Sequence, residues 1–281
     1  MKQFKDFKKK YGPWALIAGG SEGIGGAYAD LAASNGLNVI ILALDQESLD
    51  KKASELKDKF GVEVVTLEID LANPKLLEIV LEKTKGLEVG FLVYNAALAD
   101  VGSHFQRNLD FELKRIDINC KGPFVLSYHF GKQMALRKRG GIIFMASGTG
   151  LLGSPYYTHY AATKAYDIVL AEGLWYELKP YNVDVIACIA SLTSSPALQG
   201  AMEGENKVSK GEFVQTPQEV AEEAVENLGK KPSIITGAPN RRKMFLVSRL
   251  LPRKIGVAQI GKHALENFLD GKVPELDPKE H

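Results

Sequence analysis

The chain has little of what several functional classes require. Two of its 281 residues are cysteine and five are histidine, too few for a disulfide framework. His104, His129 and His159 fall in separate segments, with no pair at i, i+4 spacing and no cysteine close by, so no metal site is expected. Cys120 and Cys188 sit in apolar surroundings and read as buried free thiols, a usage compatible with a reducing, cytoplasmic setting. No apolar run approaches the roughly 18 residues of a membrane span. The first ten residues, M-K-Q-F-K-D-F-K-K-K, lack the apolar core of a signal peptide. An excess of one charge is missing too: 35 basic against 34 acidic residues leaves +1, which argues against general nucleic-acid affinity. Tandem repeats and low-complexity linkers are absent.

What is present is alternation. Apolar strand candidates at 14–18, 38–43, 62–67, 89–94, 141–146, 183–189 and 233–236 are separated by helical patterns. That order predicts one α/β unit, a doubly wound Rossmann-type domain with a seven-stranded parallel sheet. A chain of 281 residues can bury a sizeable core as a single domain over 1–281. The core is expected over about 12–237. Gly237-Ala238-Pro239 marks the one boundary, and 239–281 forms a helical extension.

The first strand, Trp14 to Ala18, runs into Gly19-Gly20-Ser21-Glu22-Gly23-Ile24-Gly25, and Ala27 to Ala33 continues as a helix. Strand, glycine turn and helix make a dinucleotide cradle. The glycines admit a pyrophosphate to the backbone, and the helix N-terminus offers it unpaired N–H groups. A second, literal G-x-G-x-x-G at Gly148 to Gly153 opens into Ser-Pro-Tyr-Tyr instead of a helix, so it reads as a flexible loop.

Ser147 ends the fifth strand, thirteen residues before Tyr160, and Lys164 follows Tyr160 by one helical turn. A free phenol titrates at about 10, and a nearby ammonium favours phenolate. Such a phenol can pass a proton to or from a carbonyl or alcohol oxygen that the serine hydroxyl holds. Tyr128 and Lys132 repeat the Y-x-x-x-K spacing without an upstream strand-end serine. Tyr128 therefore reads as a packed helix tyrosine.

Together, A-G-G-S-E-G-I-G, Asp70-Leu71, Tyr94-Asn95-Ala96-Ala97, Asn119, Ser147, Tyr160 and Lys164 resemble the short-chain dehydrogenase/reductase family over about residues 12–237. The segments L-E-V-G-F-L-V-Y-N-A-A and A-S-G-T-G most resemble its branch of hydroxysteroid dehydrogenases and long-chain 3-oxoacyl reductases. The resemblance implies an NAD(P)-dependent interconversion of a ketone and a secondary alcohol on a bulky, apolar substrate, with Tyr160 as general acid/base. It implies that Asn119 completes a water-linked relay to Lys164, that Lys164 also holds the nicotinamide ribose, that Asp70 contacts adenine and that Asn95 steadies the central strands. Gly19, Ser21, Glu22, Gly23, Ile24, Gly25, Leu71 and Ala96 complete the cofactor set, and a homodimer or homotetramer is implied.

This sequence departs from the family pattern at Ala18, Tyr94, Ala97 and Ala190-Ser191, where Ser195 stands ready to replace a threonine that grips the carboxamide. These changes touch cofactor placement and spare the proton-handling residues. A catalytically silent dinucleotide sensor is the alternative they motivate, and an epimerase or dehydratase on the same fold is a third reading. Neither the acid of related NAD enzymes at Ala43 nor the arginine of NADP enzymes at Leu44 is present. Glu22 would repel a 2′-phosphate and Asp45 could reach a ribose hydroxyl, a slight lean to NAD over NADP.

Residues 192–215 match the substrate lid of such enzymes. From Arg241 to Lys262 seven cations occur with no acid, interleaved with Met244-Phe245-Leu246-Val247 and Leu250-Leu251. This basic amphipathic element is expected to bury Met244, Phe245, Leu246, Leu250 and Leu251 over the pocket or against a partner subunit. Peripheral contact with an anionic membrane surface is the other reading.

Overall fold

A computed structural model describes residues 1–106, 108–194 and 213–274. Its sheet has seven parallel strands, β1 Trp14–Ala18, β2 Asn38–Ala43, β3 Val64–Glu68, β4 Val89–Tyr94, β5 Gly140–Ser147, β6 Val183–Ala190 and β7 Ser233–Ile235, in the order β3-β2-β1-β4-β5-β6-β7. Every residue of β1 and β4 is buried. Such strands need cover on both faces, which is why they read as unbroken apolar runs instead of alternating ones. One face is covered by α1 Phe7–Tyr11, α2 Gly23–Ser34, α3 Gln46–Phe60 and α8 Pro217–Asn227; the other by α4 Leu76–Lys83, α6 Gly122–Arg137 and α7 Thr158–Leu178. Leu16, Ile17, Ile40, Ile41, Phe91 and Phe144 between these layers are fully buried, each contributing about 1.5–3 kcal/mol over exposure.

Local signals explain the helix boundaries. In α3, Leu49, Lys52, Ala53 and Leu56 form the buried stripe; Asp45 accepts from Ser48 N at one end, and Gly61 closes the other in the left-handed region. The α8 helix opens with Pro217 and a reciprocal Thr216–Glu219 capping box. Between α5 Leu109–Ile116 and α6 lies a π-helical turn, Asp117–Lys121. Past β7 the chain forms α9 Ala238–Phe245, a second π-turn Leu246–Leu250 and α10 Arg253–Phe268.

The strand order reverses at β1, whose neighbours are β2 and β4. Ligands of open α/β sheets bind outside the carboxyl ends of strands at such a switch point. The third strand starts two residues later than the sequence pattern suggests: the paired register begins with Val64 opposite Val39, and of the two preceding residues Glu63 only lends its carbonyl to Val39 N at 2.9 Å. The Gly148 segment is not a flexible loop: Gly148–Leu151 is a 3-10 turn. A side chain on its Gly150 would lie 2.7 Å from the Lys164 backbone, so the turn is packed directly on α7.

In the C-terminal segment the chain's own fold covers little of the apolar run. Phe245, Leu246 and Leu250 are more than half exposed, while Met244 and Leu251 are only partly buried. The extension packs instead through small residues: Gly256 sits against Leu152, Gly261 against Pro155, and Ala264 is buried. Tyr128 is likewise not packed; it is 66% exposed on α6 beside Phe124. Cys188 is buried, but Cys120, on the π-turn, only half so.

Candidate active site

The glycine turn leaves β1 at the switch point. Gly19 has φ +74°, and a Cβ there would stand 2.9 Å from the Ala96 backbone. A Cβ on Gly25 would fall 1.8 Å from Gly19 O, so only glycine lets the helix start this close to the turn. Asn95 Nδ2 donates to Gly19 O at 2.9 Å, and the Asn95 and Ala96 N–H groups donate to Ala18 O. The turn is thus tied to the end of β4. Ser21, Gly23 and Ile24 are partly buried around it, and Glu22 is exposed at the N-cap of α2 without capping it.

Beyond the carboxyl end of β2, Asp45 spends one oxygen on Ser48 N, 2.7 Å away. Asp70 is committed at both oxygens, to Ala72 N at 2.9 Å and Lys114 Nζ at 2.7 Å. Burial acts against its ionised form, but Lys114 and the Ala72 amide outweigh that and hold its carboxyl below the ordinary value. Leu71 is buried. Beside the turn lies a cavity of about 520 Å³ lined by Ser21, Glu22, Ser48 and Lys51, among others. Lys51 and Ser48 were missed by sequence reasoning, which weighed only the carboxylates; their place on the first turns of α3, next to the glycine turn, was the available signal.

Ser147 ends β5 opposite Ala190 of β6. Its Oγ accepts from Thr149 N at 3.3 Å and Thr149 Oγ1 at 3.0 Å, leaving its own hydrogen to donate. Lys164, buried on α7, reaches back to the same strand through Nζ to Met145 O, 2.7 Å. Tyr160 precedes it by one turn on that helix, and its phenol has no hydrogen-bond partner among the described residues. Asn119 is fully buried in the π-turn. Its Oδ1 accepts from Leu98 N at 2.8 Å, and its Nδ2 donates to Leu98 O at 3.1 Å and Thr163 Oγ1 at 3.0 Å. Thr163 in turn donates to Tyr160 O at 2.7 Å. The asparagine therefore locks the segment after β4, the π-turn and α7 together. Tyr94, a departure from the family pattern, donates its phenol to Ile118 O at 2.6 Å and closes on Gly122, bracing the same π-turn from β4.

The two neighbours of Tyr160 are engaged elsewhere. His159 Nδ1 pairs with Glu112, which also binds Arg115; Arg115 in turn grips Asp100. Tyr157 stacks edge-on with Phe268 of α10, and burial raises its phenol well above the usual range. Asp100, Glu112 and Arg115, like Asp167 beside Lys164, carried no motif and escaped sequence reasoning. Ser195 and most of the expected lid lie outside the described residues; the described ends of that segment are joined, with Ser194 N donating to Gln215 O and Gln215 N to Leu192 O. Among the described residues, no His/Cys/Asp/Glu group could hold a metal, and no helix is long and apolar enough to cross a membrane.

Ser147 at the end of β5 and Lys164, anchored to Met145 of the same strand one helical turn after Tyr160, thus stand two strands along the sheet from the glycine turn of β1. That pairing has close parallels. The family model described as short chain dehydrogenase matches residues 13–206. A 7beta-hydroxysteroid dehydrogenase of Collinsella aerofaciens is 32% identical over 240 residues, covering 84% of this chain and 90% of that protein. Human 17-beta-hydroxysteroid dehydrogenase type 3 is 32% identical over 64% of this chain and 58% of its own. A solved structure from work on 7beta-hydroxysteroid dehydrogenase stereoselectivity superposes with a TM-score of 0.86 at 29% identity, over 91% of this chain and 99% of that one. Sequence and sheet order agree, and the chain belongs to the short-chain dehydrogenase/reductase family of oxidoreductases.

Proposed function

We propose that this protein interconverts a ketone and a secondary alcohol on a bulky, apolar substrate of the hydroxysteroid kind, with Tyr160 as general acid/base. The observation that carries the reading is the tethering of Ser147, Tyr160, Lys164 and Asn119 by three separate elements at the edge of a dinucleotide cradle. Relatives named as hydroxysteroid dehydrogenases support the substrate class.

The residues present suit a nicotinamide dinucleotide, because the approach at Gly19 and Gly25 is one that any side chain would fill. When bound, that group exchanges a hydride with the substrate carbon. Ser147 donates to the substrate oxygen and orients it. Tyr160 gives that oxygen a proton in reduction and takes it in oxidation, and Lys164 supplies the positive field that favours phenolate. Asn119 fixes the helix on which both stand. The Gly148–Leu151 turn, with Met244 about 3.2 Å from where a Gly148 Cβ would lie, is where we expect the hydrocarbon of the substrate to rest.

For cofactor choice we keep a slight lean to NAD, which rests on Glu22; Lys51 in the same cavity pulls the other way and predicts only a modest preference. A homodimer or homotetramer fits the exposed apolar residues on α5 to α7, namely Leu109, Leu113, Phe124, Tyr128, Val169 and Tyr176. Exposed Phe245, Leu246 and Leu250 among Arg242, Arg249, Arg253 and Lys254 support peripheral contact with anionic lipid surfaces. A catalytically silent sensor is opposed by the intact proton-handling set.

The test is turnover of NADH and NADPH with a panel of steroid ketones, and of the oxidised cofactors with the matching alcohols. Binding of cofactor without turnover on any of them overturns the reading.

A further inference from the structure

Lys164 has a neighbour that the proton-handling set does not use. Asp167 lies one turn further along α7, its Oδ2 3.0 Å from Lys164 Nζ, and both side chains are 3% exposed. The ammonium's other partner is the neutral carbonyl of Met145. Asp167 Oδ1 is buried with no hydrogen-bond partner among the described residues, so the carboxylate is committed to Lys164 alone.

A buried ammonium held by one carbonyl is poorly compensated, and a dry site favours loss of its proton. Here burial pulls Lys164 down, but the Asp167 charge, aided by Tyr160 and the Asp167 hydrogen bond, outweighs it and leaves the amine above its ordinary value. Burial lifts Asp167 while Lys164 pulls it the other way. The other titratable groups facing the pair are Tyr160 and Tyr166 on α7, Cys120 on the π-turn and Tyr94 on β4. Burial raises Tyr94 and Tyr166 and pushes Cys120 up to about 11, so these three stay neutral at working pH. Among the described residues, Asp167 is thus the one carboxylate paired with Lys164.

Resting on the assignment of Lys164 to the proton-handling site, we propose that Asp167 is a positioning residue for catalysis. Its buried carboxylate keeps Lys164 an ammonium and pins it between β5 and α7, on the helix face it shares with Tyr160. Without the carboxylate, the lysine would switch off within the working pH range.

The experiment reads the lysine directly. In protein labelled at lysine Cε and Nζ, Lys164 is identified by the signal lost in Lys164→Met, and its titration is followed by NMR without cofactor. Wild type should keep its ammonium above the pH at which a free lysine titrates, whereas Asp167→Asn should lose it at least one unit below wild type. Dinucleotide affinity of Asp167→Asn should then fall tenfold or more from pH 6.5 to 9 while wild type stays flat, and Asp167→Glu, which keeps the charge, should recover most of it. An unchanged Lys164 titration in Asp167→Asn overturns the proposal. If that variant does not fold, Lys164→Met gives the reciprocal reading: Asp167, deprived of its partner, should show the infrared band of a protonated carboxylic acid at neutral pH, and its absence overturns the proposal as well. Full turnover in Lys164→Met would instead remove the catalytic assignment on which the proposal rests, a failure these spectroscopic readings keep separate.

Discussion

Two adjacent helices carry the same four-residue spacing with opposite outcomes. On α6, Tyr128 is 66% exposed beside Phe124, and Lys132 is in solvent. On α7, Tyr160 is partly buried, and Lys164 is fixed to Met145 O and Asp167. An exposed ammonium is screened by water and salt and does little to a phenol one turn away. A buried one, held in place and kept charged, acts through a lower effective dielectric. The chemistry therefore belongs to the surroundings of the pair and not to its spacing.

The strongest way to break that comparison is to remove one atom. Tyr160→Phe keeps the ring and its packing but deletes the proton carrier. Turnover should fall by on the order of a hundredfold or more, with dinucleotide affinity nearly unchanged. Lys164→Ala should lower both, because it also removes a buried charge that Asp167 then faces alone. Steady-state kinetics beside cofactor titration decides the matter; equal loss of affinity and turnover in Tyr160→Phe would show that the phenol holds cofactor instead of moving a proton.

The surroundings of α7 extend to the C-terminal helices. Gly256 and Gly261 close on Leu152 and Pro155, Phe268 on Tyr157, and Arg241 pairs with Glu223. Deleting residues 239–281 should therefore expose the turn leading into α7 and lower the melting temperature, by about 5–10 °C if a few kcal/mol of packing is lost. Activity should fall with it. A truncated chain that is equally stable, equally active and unchanged in sedimentation would mean the segment is held only loosely. Its acid-free run of cations would then act on lipid, to be read as salt-sensitive loss of binding to anionic vesicles.

How much of this was legible in the chain depends on how local each signal was. The strands, the glycine turn and the Ser147–Tyr160–Lys164 order were readable, because each is a short pattern of residue types with its own periodicity. Asp167 was not, although it stands three residues from Lys164: a single acid on a helix reads as a solvated face until tertiary packing buries it. The same limit applies to Phe245, Leu246 and Leu250, which the chain's own fold leaves more than half exposed. Their apolar character suggested burial, yet the segment docks through Gly256, Gly261 and Ala264, which carry no apolar signal strong enough to notice. The roles of Tyr94 and Asn119 as braces of the π-turn were equally hidden, since the turn itself has no sequence signature.

A smaller effect is expected at the glycine turn. Glu22 is exposed, and Lys51 lines the same cavity. Glu22→Lys replaces a repulsive contact with an attractive one at a solvent-screened position, so kcat/KM for NADPH relative to NADH should rise by about 1–2 kcal/mol at most, roughly tenfold. Lys51→Ala should move the ratio the other way. A wild-type preference for NADP well beyond a hundredfold would show that Glu22 points away and that another cation meets the phosphate.

The smallest change is predicted where the motif is a repeat of spacing alone. Tyr128→Phe removes a hydroxyl for which no hydrogen-bond partner exists among the described residues, from a ring whose contact with Phe124 is retained. Surface substitutions of this kind usually change stability by no more than about 0.5 kcal/mol, and turnover should stay within about twofold of wild type. The apolar face that Tyr128 shares with Phe124 is also the one assigned to subunit contact, so Tyr128→Lys is the informative companion. It places a cation in a surface that would be desolvated on assembly, and should shift sedimentation toward smaller species while the proton-handling residues of each subunit stay intact. If Tyr128→Phe abolished turnover and Tyr160→Phe did not, the reactive pair would be on α6, and burial would have pointed to the wrong helix.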